Sequence, residues 1–482
     1  MLFNSLGYAL FLPAVFLLYW FLFSRNLKAQ NLFILAASYF FYTWWDWRFL
    51  ALLVFTSACS YWTGILIGKY RDEPRKSKMA CGVNIVLNLL ILGVFKYYDF
   101  FASSFADVFL GGRTDGLLLH VFLPVGISFY TFKALSYGID VYRGKLEPSR
   151  DIVQYFAFVA FFPQLLAGPI DRATNLLPQL GKLQTFDYET GMDGLRQILL
   201  GFFKKMVVAD HCALYVDQVF SSGQTPSGST ALLASILYAF QIYGDFSGYS
   251  DIAIGTGKLL GIKSMRNFSI PYFSRDIAEF WRHWHISLTS WFRDYVYIPL
   301  GGSRCPKAKI VRNTIVVFLL SGLWHGANWT FLVWGAYHAL LFLPLILRGK
   351  NRKHLNLVAE GRLLPTWKET GQMFLTFLLV TVGWIVFRAE SVVGAWTWIR
   401  AICSRSLFSL PEMYSLRSIV PAVASIPALL VVEWLRRGEE HALKPIAGRK
   451  ALTTLLYLAV FISVFVAAVS QQGNPAFIYF QF

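Results

Sequence analysis

The chain has 482 residues, 56% of them hydrophobic and only 15% charged, with 44 Lys and Arg against 27 Asp and Glu for a net charge of +17. Soluble domains carry about 25% charge, so this balance excludes an ordinary soluble enzyme. The basic residues fall in short runs between apolar segments, at Lys69 to Lys78, Arg348 to His354 and Arg436 to Lys450; that is the positive-inside pattern of loops facing anionic headgroups in the cytoplasm, not a nucleic-acid surface.

Apolar runs of about 17–25 residues, long enough to cross a bilayer, recur from end to end. The fold class is therefore an all-α polytopic integral membrane protein with about ten to twelve spans, since a barrel would show short alternating segments. Leu10 to Phe23 lacks a preceding basic region and reads as a retained first span with its N-terminus outside. Asn31 to Gly68 has the length of two short spans, broken at the interfacial TWWDWRF. Met79 to Val94 is a further span, ending in the aromatic cluster KYYDFF. Pro124 and Gly126 disfavour a straight helix before Lys133 and Asp140. Phe156 to Arg172 is apolar but broken by Pro163, Gly168 and Pro169, so it reads as a kinked or re-entrant segment buried in protein. Phe186 to Asp210, carrying Arg196, Lys204 and Lys205, reads as amphipathic and partly interfacial.

A span over Ala231 to Tyr243 leads into YGDFSGYSDIAIGTGKLLG, where Asp245 and Asp251 stand among glycines and serines. The GTGKLLG within it lacks the first glycine and the Ser or Thr of a phosphate-binding loop, and close helix packing explains its glycines. Later spans are expected at Met373 to Phe387, Ile419 to Leu435 and Leu452 to Val469, which puts the C-terminal tail outside. The five cysteines form no CxxC pair, so they support neither a disulfide framework nor a metal site.

The chemistry concentrates between Ser274 and His338, which holds four of the eight histidines: His283, His285, His325 and His338. Projected as one helix, Asp276 to Tyr295 is amphipathic, with His285 on its apolar side and His283 on its polar side. His285 is then either a hydrogen-bonded core residue or a functional one. His325 sits in SGLWHGAN inside an apolar segment, where an ionisable group is a functional-site candidate. Gly322 and Gly326 beside it would let a substrate approach closely. A neutral imidazole there can accept a proton from a hydroxyl, or can simply tie helices together. Thirteen residues along the same helix would set His338 too far away to reach the same reacting atom. His283 and His285, two apart, make no chelating pair, and no metal is expected.

LPVGISFYTF, FFPQLLAGPIDR, YGDFSGYSDIAIG, EFWRHWHISLTSWFRDYVYIPLGG, SGLWHGANWTFLVWGAYH and GWIVFRAE together resemble the membrane-bound O-acyltransferase family. The likeness is to its bacterial branch, which modifies alginate and teichoic acid, and it covers nearly the whole chain in order. The resemblance implies a single domain over 1–482: N-terminal spans at 30–150, a funnel core at 151–345, and C-terminal spans with an extracytoplasmic tail at 346–482. It implies a bowl of tilted and re-entrant helices around a central funnel, in the bacterial inner membrane. The expected activity moves an acyl group, acetyl from acetyl-CoA, out of the cytoplasm to an exported polysaccharide such as alginate, with an extracytoplasmic partner protein completing the transfer. By position, His325 matches the family's invariant histidine and His285 the second one. Asn328, Tyr295, Asp245 and Asp251 are candidates to support the funnel or the developing oxyanion. Tyr479 in the aromatic tail is either an acyl relay or an interfacial anchor. Peptidoglycan is the near alternative acceptor. A transporter using Lys133, Asp140, Asp245 and Asp251 as ion sites is the alternative of another class.

Overall fold

A computed structural model describes residues 1–470 apart from 115, 167 and 413–415. Among the described residues every regular element is helical. Five helical segments are long and apolar enough to cross a membrane: Arg48–Lys69, Pro74–Phe109, Trp329–Leu347, Trp367–Arg388 and Lys450–Ser470. The shorter apolar helices Leu6–Leu22, Val392–Ile402 and Ile419–Leu435 join them. This is a multi-pass membrane protein.

The chain forms two compact units. The first comprises residues 1–195 and 253–265. It contains α1 (Leu6–Leu17), α2 (Leu27–Thr43), α3 (Arg48–Lys69), α4 (Pro74–Leu92), α5 (Tyr98–Phe109), α6 (Ile127–Tyr142), α7 (Ile152–Ala160), α8 (Phe162–Leu165), α9 (Ala173–Leu180) and most of α10 (Tyr188–Phe202). Their starts are written in the sequence: Ser5, Asn26 and Asp151 cap α1, α2 and α7 by accepting backbone N–H groups with their side chains. Packing in this unit is polar as well as apolar. Asn84 donates to Thr63 at 2.7 Å and Asn88 to Ser60 at 3.0 Å, joining α4 to α3. Such interhelical bonds between buried amides and hydroxyls are worth about 1 kcal/mol each. Lys133 is buried on α6 and donates to Gln164 at 3.0 Å, while Gln164 donates to Asp171 at 2.6 Å. The segment after α7 is broken and buried, as the prolines and glycines predict. The helical segment that holds the expected span runs on through KYYDFF to Phe109, by way of a π-helical turn at Gly93–Tyr97.

The second unit comprises residues 196–252 and 266–482. After α10 come a π-helical stretch, Phe203–Ala209, then α11 (Asp210–Ser221) and α12 (Gly228–Leu259), of which residues 228–252 belong to this unit. They are followed by α13 (Ile277–His283), α14 (Ile286–Phe292), α15 (Lys307–His325), α16 (Trp329–Leu347), α17 (Trp367–Arg388), α18 (Val392–Ile402), α19 (Leu416–Leu435) and α20 (Lys450–Ser470). The helix that holds the span expected at Ala231 to Tyr243 is longer than that span: α12 has 32 residues and includes most of the glycine-rich motif. Its glycines serve helix contact, as a Cβ at Gly248 would lie 2.7 Å from the Gly201 carbonyl oxygen. Helices α15 and α16 form a hairpin so tight that a Cβ at Gly322 would overlap the Phe331 carbonyl and one at Gly335 the Phe318 carbonyl.

Lys204 and Lys205 are not interfacial, as the amphipathic reading expects. Both are buried and paired. Lys204 lies 3.0 Å from Asp251 and 3.1 Å from Glu433, and Lys205 lies 2.7 Å from Asp245 and 2.9 Å from Asp210. The amphipathic pattern arises because these cations face a polar core instead of water. Removing one partner of a buried pair leaves an uncompensated charge at a cost of about 3–5 kcal/mol. Lys205→Met is therefore expected to lower the Tm of the detergent-solubilised protein far more than Asp210→Asn, which leaves the Lys205–Asp245 pair in place. Thermal unfolding of the two variants side by side checks this.

Candidate functional site

The site lies in the second unit and is assembled by two interruptions of helix. The first falls at His285. The sequence pattern predicts one helix from Asp276 to Tyr295, but the helix stops at His283 and a new one starts at Ile286. A separate stretch of backbone satisfies the break: Ser269 N–H donates to the His283 carbonyl at 3.0 Å and Ile286 N–H to the Asn267 carbonyl at 2.9 Å. The Asn267 side chain accepts from Ser287 at 2.6 Å. His285 itself takes a left-handed φ of 41°, a strained conformation for a residue with a Cβ and one that clusters at functional sites.

His285 is buried, with its ring edge-on to Phe246 at 4.6 Å and to Trp324 at 5.6 Å. Neither ring nitrogen has a hydrogen-bond partner among the described residues. It lies outside the helices that can cross the membrane, and burial pulls its pKa down from the ordinary histidine value to about 3. The ring is neutral at physiological pH, with one nitrogen available to donate and the other to accept.

The second interruption follows His325, the last residue of α15, where Gly326 turns the chain into extended backbone. Asn328 then caps α16 by accepting the Thr330 N–H at 3.0 Å. His325 is buried among aromatic rings: Trp324 at 5.0 Å, Trp334 at 5.2 Å and Phe387 at 5.1 Å. The ring of Trp324 thus touches both His285 and His325, bringing together two residues 40 positions apart.

Other expectations fare differently. The room beside Gly322 and Gly326 belongs to α16, not to a substrate, because Phe331 packs into both positions. Asn328 is committed to structure, since its amide also donates to the Glu390 carbonyl at 3.1 Å. Tyr295 is buried against Trp291 at 5.0 Å. Asp245 and Asp251 are held in the lysine pairs, with Gln197 donating to Asp251 at 2.9 Å. Tyr479 lies outside the described residues. The hairpin also revises the place of His338. It is not four turns along one helix from His325 but on the returning α16, where Trp334 touches both, at 4.9 Å from His338 and 5.2 Å from His325.

Sequence spacing misses a cavity of about 400 Å³ bounded by α13 to α16 and the loop after α16. Its walls include Trp281, Phe318 and Phe342, and Arg282, Arg293 and Arg352 also line it. Arg282 is oriented by the carbonyls of Asn351 at 2.8 Å and His354 at 2.6 Å, and Arg293 pairs with Asp294 at 2.7 Å. Ser321, on the same wall, is one helical turn before His325. These arginines sit in separate segments, so only the fold gathers them.

The model of the membrane-bound O-acyltransferase family matches residues 146–375. The chain is 40% identical to the probable alginate O-acetylase of Pseudomonas aeruginosa, over 84% of this chain and 75% of that protein. It is 37% identical to the Pseudomonas putida protein of the same description, over 98% of each. It is 34% identical to the peptidoglycan O-acetyltransferase of Helicobacter pylori, over 80% of this chain and 76% of that one. On these matches the chain, a multi-pass helical protein, belongs to the membrane-bound O-acyltransferase family and is an O-acyltransferase.

Proposed function

We propose that the protein O-acetylates an exported polysaccharide of the alginate type from the bacterial inner membrane. In this reading acetyl-CoA on the cytoplasmic side is the donor, and an extracytoplasmic partner protein receives or hands on the acetyl group. The observation that carries the reading is the convergence of His285 and His325 on Trp324, in a unit that also holds an arginine-lined cavity whose wall includes Ile286, next in the chain to His285, and Ser321, one turn before His325. The P. aeruginosa and P. putida relatives favour alginate, and the H. pylori relative keeps peptidoglycan as the second acceptor.

The cavity suits a donor with phosphates at one end and an acyl thioester at the other. Guanidinium groups bind phosphate oxygens through paired N–H donors, and the aromatic wall receives the less polar part. Arg352 belongs to the basic run that the positive-inside pattern would set in the cytoplasm, which supports a donor that enters from that side.

In the chemical step, a ring nitrogen of His325 takes the proton from the acceptor hydroxyl as its oxygen attacks the thioester carbonyl. The carbon–sulfur bond breaks and the proton passes to the leaving sulfur, giving an ester and a free thiol. Neutral His285 supplies an N–H to the carbonyl oxygen as it gains charge. Tyr479 is a place where the acetyl group would rest in transit if the tail acts as a relay. Ion transport has less support, since lysine pairing accounts for Asp245 and Asp251 without a transported ion.

His325→Ala is expected to cut base-labile acetate on the exported polysaccharide by about 10²–10⁴-fold, with the protein's membrane level unchanged on the same samples. Acetate lost from peptidoglycan instead would name the second acceptor. Acetate unchanged on both polymers would remove His325 from the chemistry. Arg352→Gln is expected to raise the KM for acetyl-CoA about tenfold, the loss of one charged hydrogen bond, with little change in kcat. An unchanged KM would place the donor phosphates elsewhere.

A further inference from the structure

The buried lysines do not balance their acids. Lys204 faces Asp251 and Glu433, and Lys205 faces Asp210 and Asp245, so each ammonium meets two carboxyls. If both carboxyls ionise, a net negative charge is left away from water, and such a charge is costly unless further donors reach it. The Lys204 group has those donors. Tyr243 donates to Glu433 at 2.6 Å, Gln197 donates to Asp251 at 2.9 Å, and Asp251 is only half-buried.

The Lys205 group is closed in: Lys205, Asp210 and Asp245 are 1%, 2% and 3% exposed. Both acids place an oxygen on the same ammonium, Asp210 at 2.9 Å and Asp245 at 2.7 Å. The other oxygen of Asp210, Oδ2, is buried and has no hydrogen-bond partner among the described residues. A dry, unbonded oxygen costs more as part of an anion than as part of a neutral acid. The π-helical stretch brings Lys205 to Asp210. Helix α12 brings Asp245 and Tyr249, whose ring lies 5.6 Å from the Lys205 ammonium. Helix α19, packed on α11, brings Glu433, which Lys204 already holds. Cys212 lies two residues along α11 itself. Asp210 opens α11, outside the helices that can cross the membrane. Burial pushes its carboxyl up from the ordinary range to about 7, against the pull of Lys205 and with the Asp245 charge adding to the rise.

Asp245 leads directly into Phe246, whose ring packs on His285 at 4.6 Å. A change that parts Asp245 from Lys205 therefore shifts a ring on which His285 rests. We propose that Asp210 holds a proton in the folded protein and that losing it releases a latch on His285. With the proton in place the group is neutral: one ammonium, one carboxylate and one carboxylic acid. As the pH rises the O–H bond breaks, the proton passes to water, and two carboxylates compete for Lys205. Their repulsion moves α12 against α11 and loosens Phe246 from His285. Asp210 and Lys205 are positioning residues, since neither touches a reacting atom. The effect on catalysis rests on the acyl-transfer reading above; the proton does not.

A carboxyl raised by folding adds stability that is full below its unfolded pKa and is lost as the pH climbs through the folded one. The test uses the full-length protein in membrane vesicles at pH about 5.5 and about 8.5, on either side of the folded value. The infrared spectrum of the wild type minus that of Asp210→Asn is expected to show the carbonyl band of one carboxylic acid at the lower pH and none at the higher. Over the same rise the wild-type Tm falls about 2–4 °C further than that of the variant. Its acetyl transfer falls about 3–10-fold further, as a small misplacement of a site group costs rate. The absence of the band, or a Tm that follows sodium or potassium concentration instead of pH, overturns the proton. A band that titrates while the two transfer rates keep a constant ratio overturns the latch. Should Asp210→Asn not accumulate, Asp245→Asn leaves Asp210 ionised against Lys205, and the band is then expected to vanish at both pH values. Wild-type protein that transfers no acetyl at either pH, with the band still titrating, would overturn the acyl-transfer reading and leave the proton in place.

Discussion

Broken backbone inside an apolar protein survives only where other groups satisfy it, and the site depends on one such repair. The extended residues 267 to 269 lie beside the gap between α13 and α14 and supply the donor and acceptor that the two helix ends lack. With that repair in place, His285 holds a left-handed conformation and turns its ring toward Phe246 and Trp324. An unbroken helix would leave His285 on the same face as Trp281 and Leu288. The strain at His285 is borne by the rest of the unit, chiefly by the aromatic packing of Trp284 against Phe268, Phe280 and Trp384.

The second support is ionic. Three buried carboxylates and the half-buried Asp251 surround two buried ammonium groups on the stretch between α10 and α11, and Tyr243 donates to Glu433 at 2.6 Å. These contacts tie that stretch to α11, α12 and α19. Such pairs add little net stability compared with apolar residues of the same size, yet they penalise any arrangement that separates them. They fix α12, and α12 carries Phe246 to the ring of His285. In this sense the charges that resemble ion-transfer sites in the sequence hold the histidine site in place.

Much of this was legible in the sequence. The apolar runs located the C-terminal helices, and the motifs around His285 and His325 pointed to the family. The break at His285 was not legible, because the periodicity of Asp276 to Tyr295 is continuous and the repair comes from a distant segment. Lys204 and Lys205 read as interfacial because a helix facing a polar core has the same pattern as one facing water. The place of His338 was missed for a related reason: spacing along the chain cannot show that Gly326 and the Asn328 cap reverse it. The cavity arginines lie on α13, at the end of α14 and in the loop after α16, and no local pattern connects them.

Lys204 and Lys205 have one more consequence. They are consecutive, yet each serves a different pair of acids, Asp251 with Glu433 and Asp245 with Asp210. Successive side chains on a helix point in different directions, which lets these neighbours reach separate partners. If this segment slid by a single residue, one ammonium would move to the wrong acids and the other pair would face a hydrophobic side chain. The doublet therefore works as an index mark for assembly, admitting one alignment of these helices and rejecting its nearest neighbours before the histidines meet.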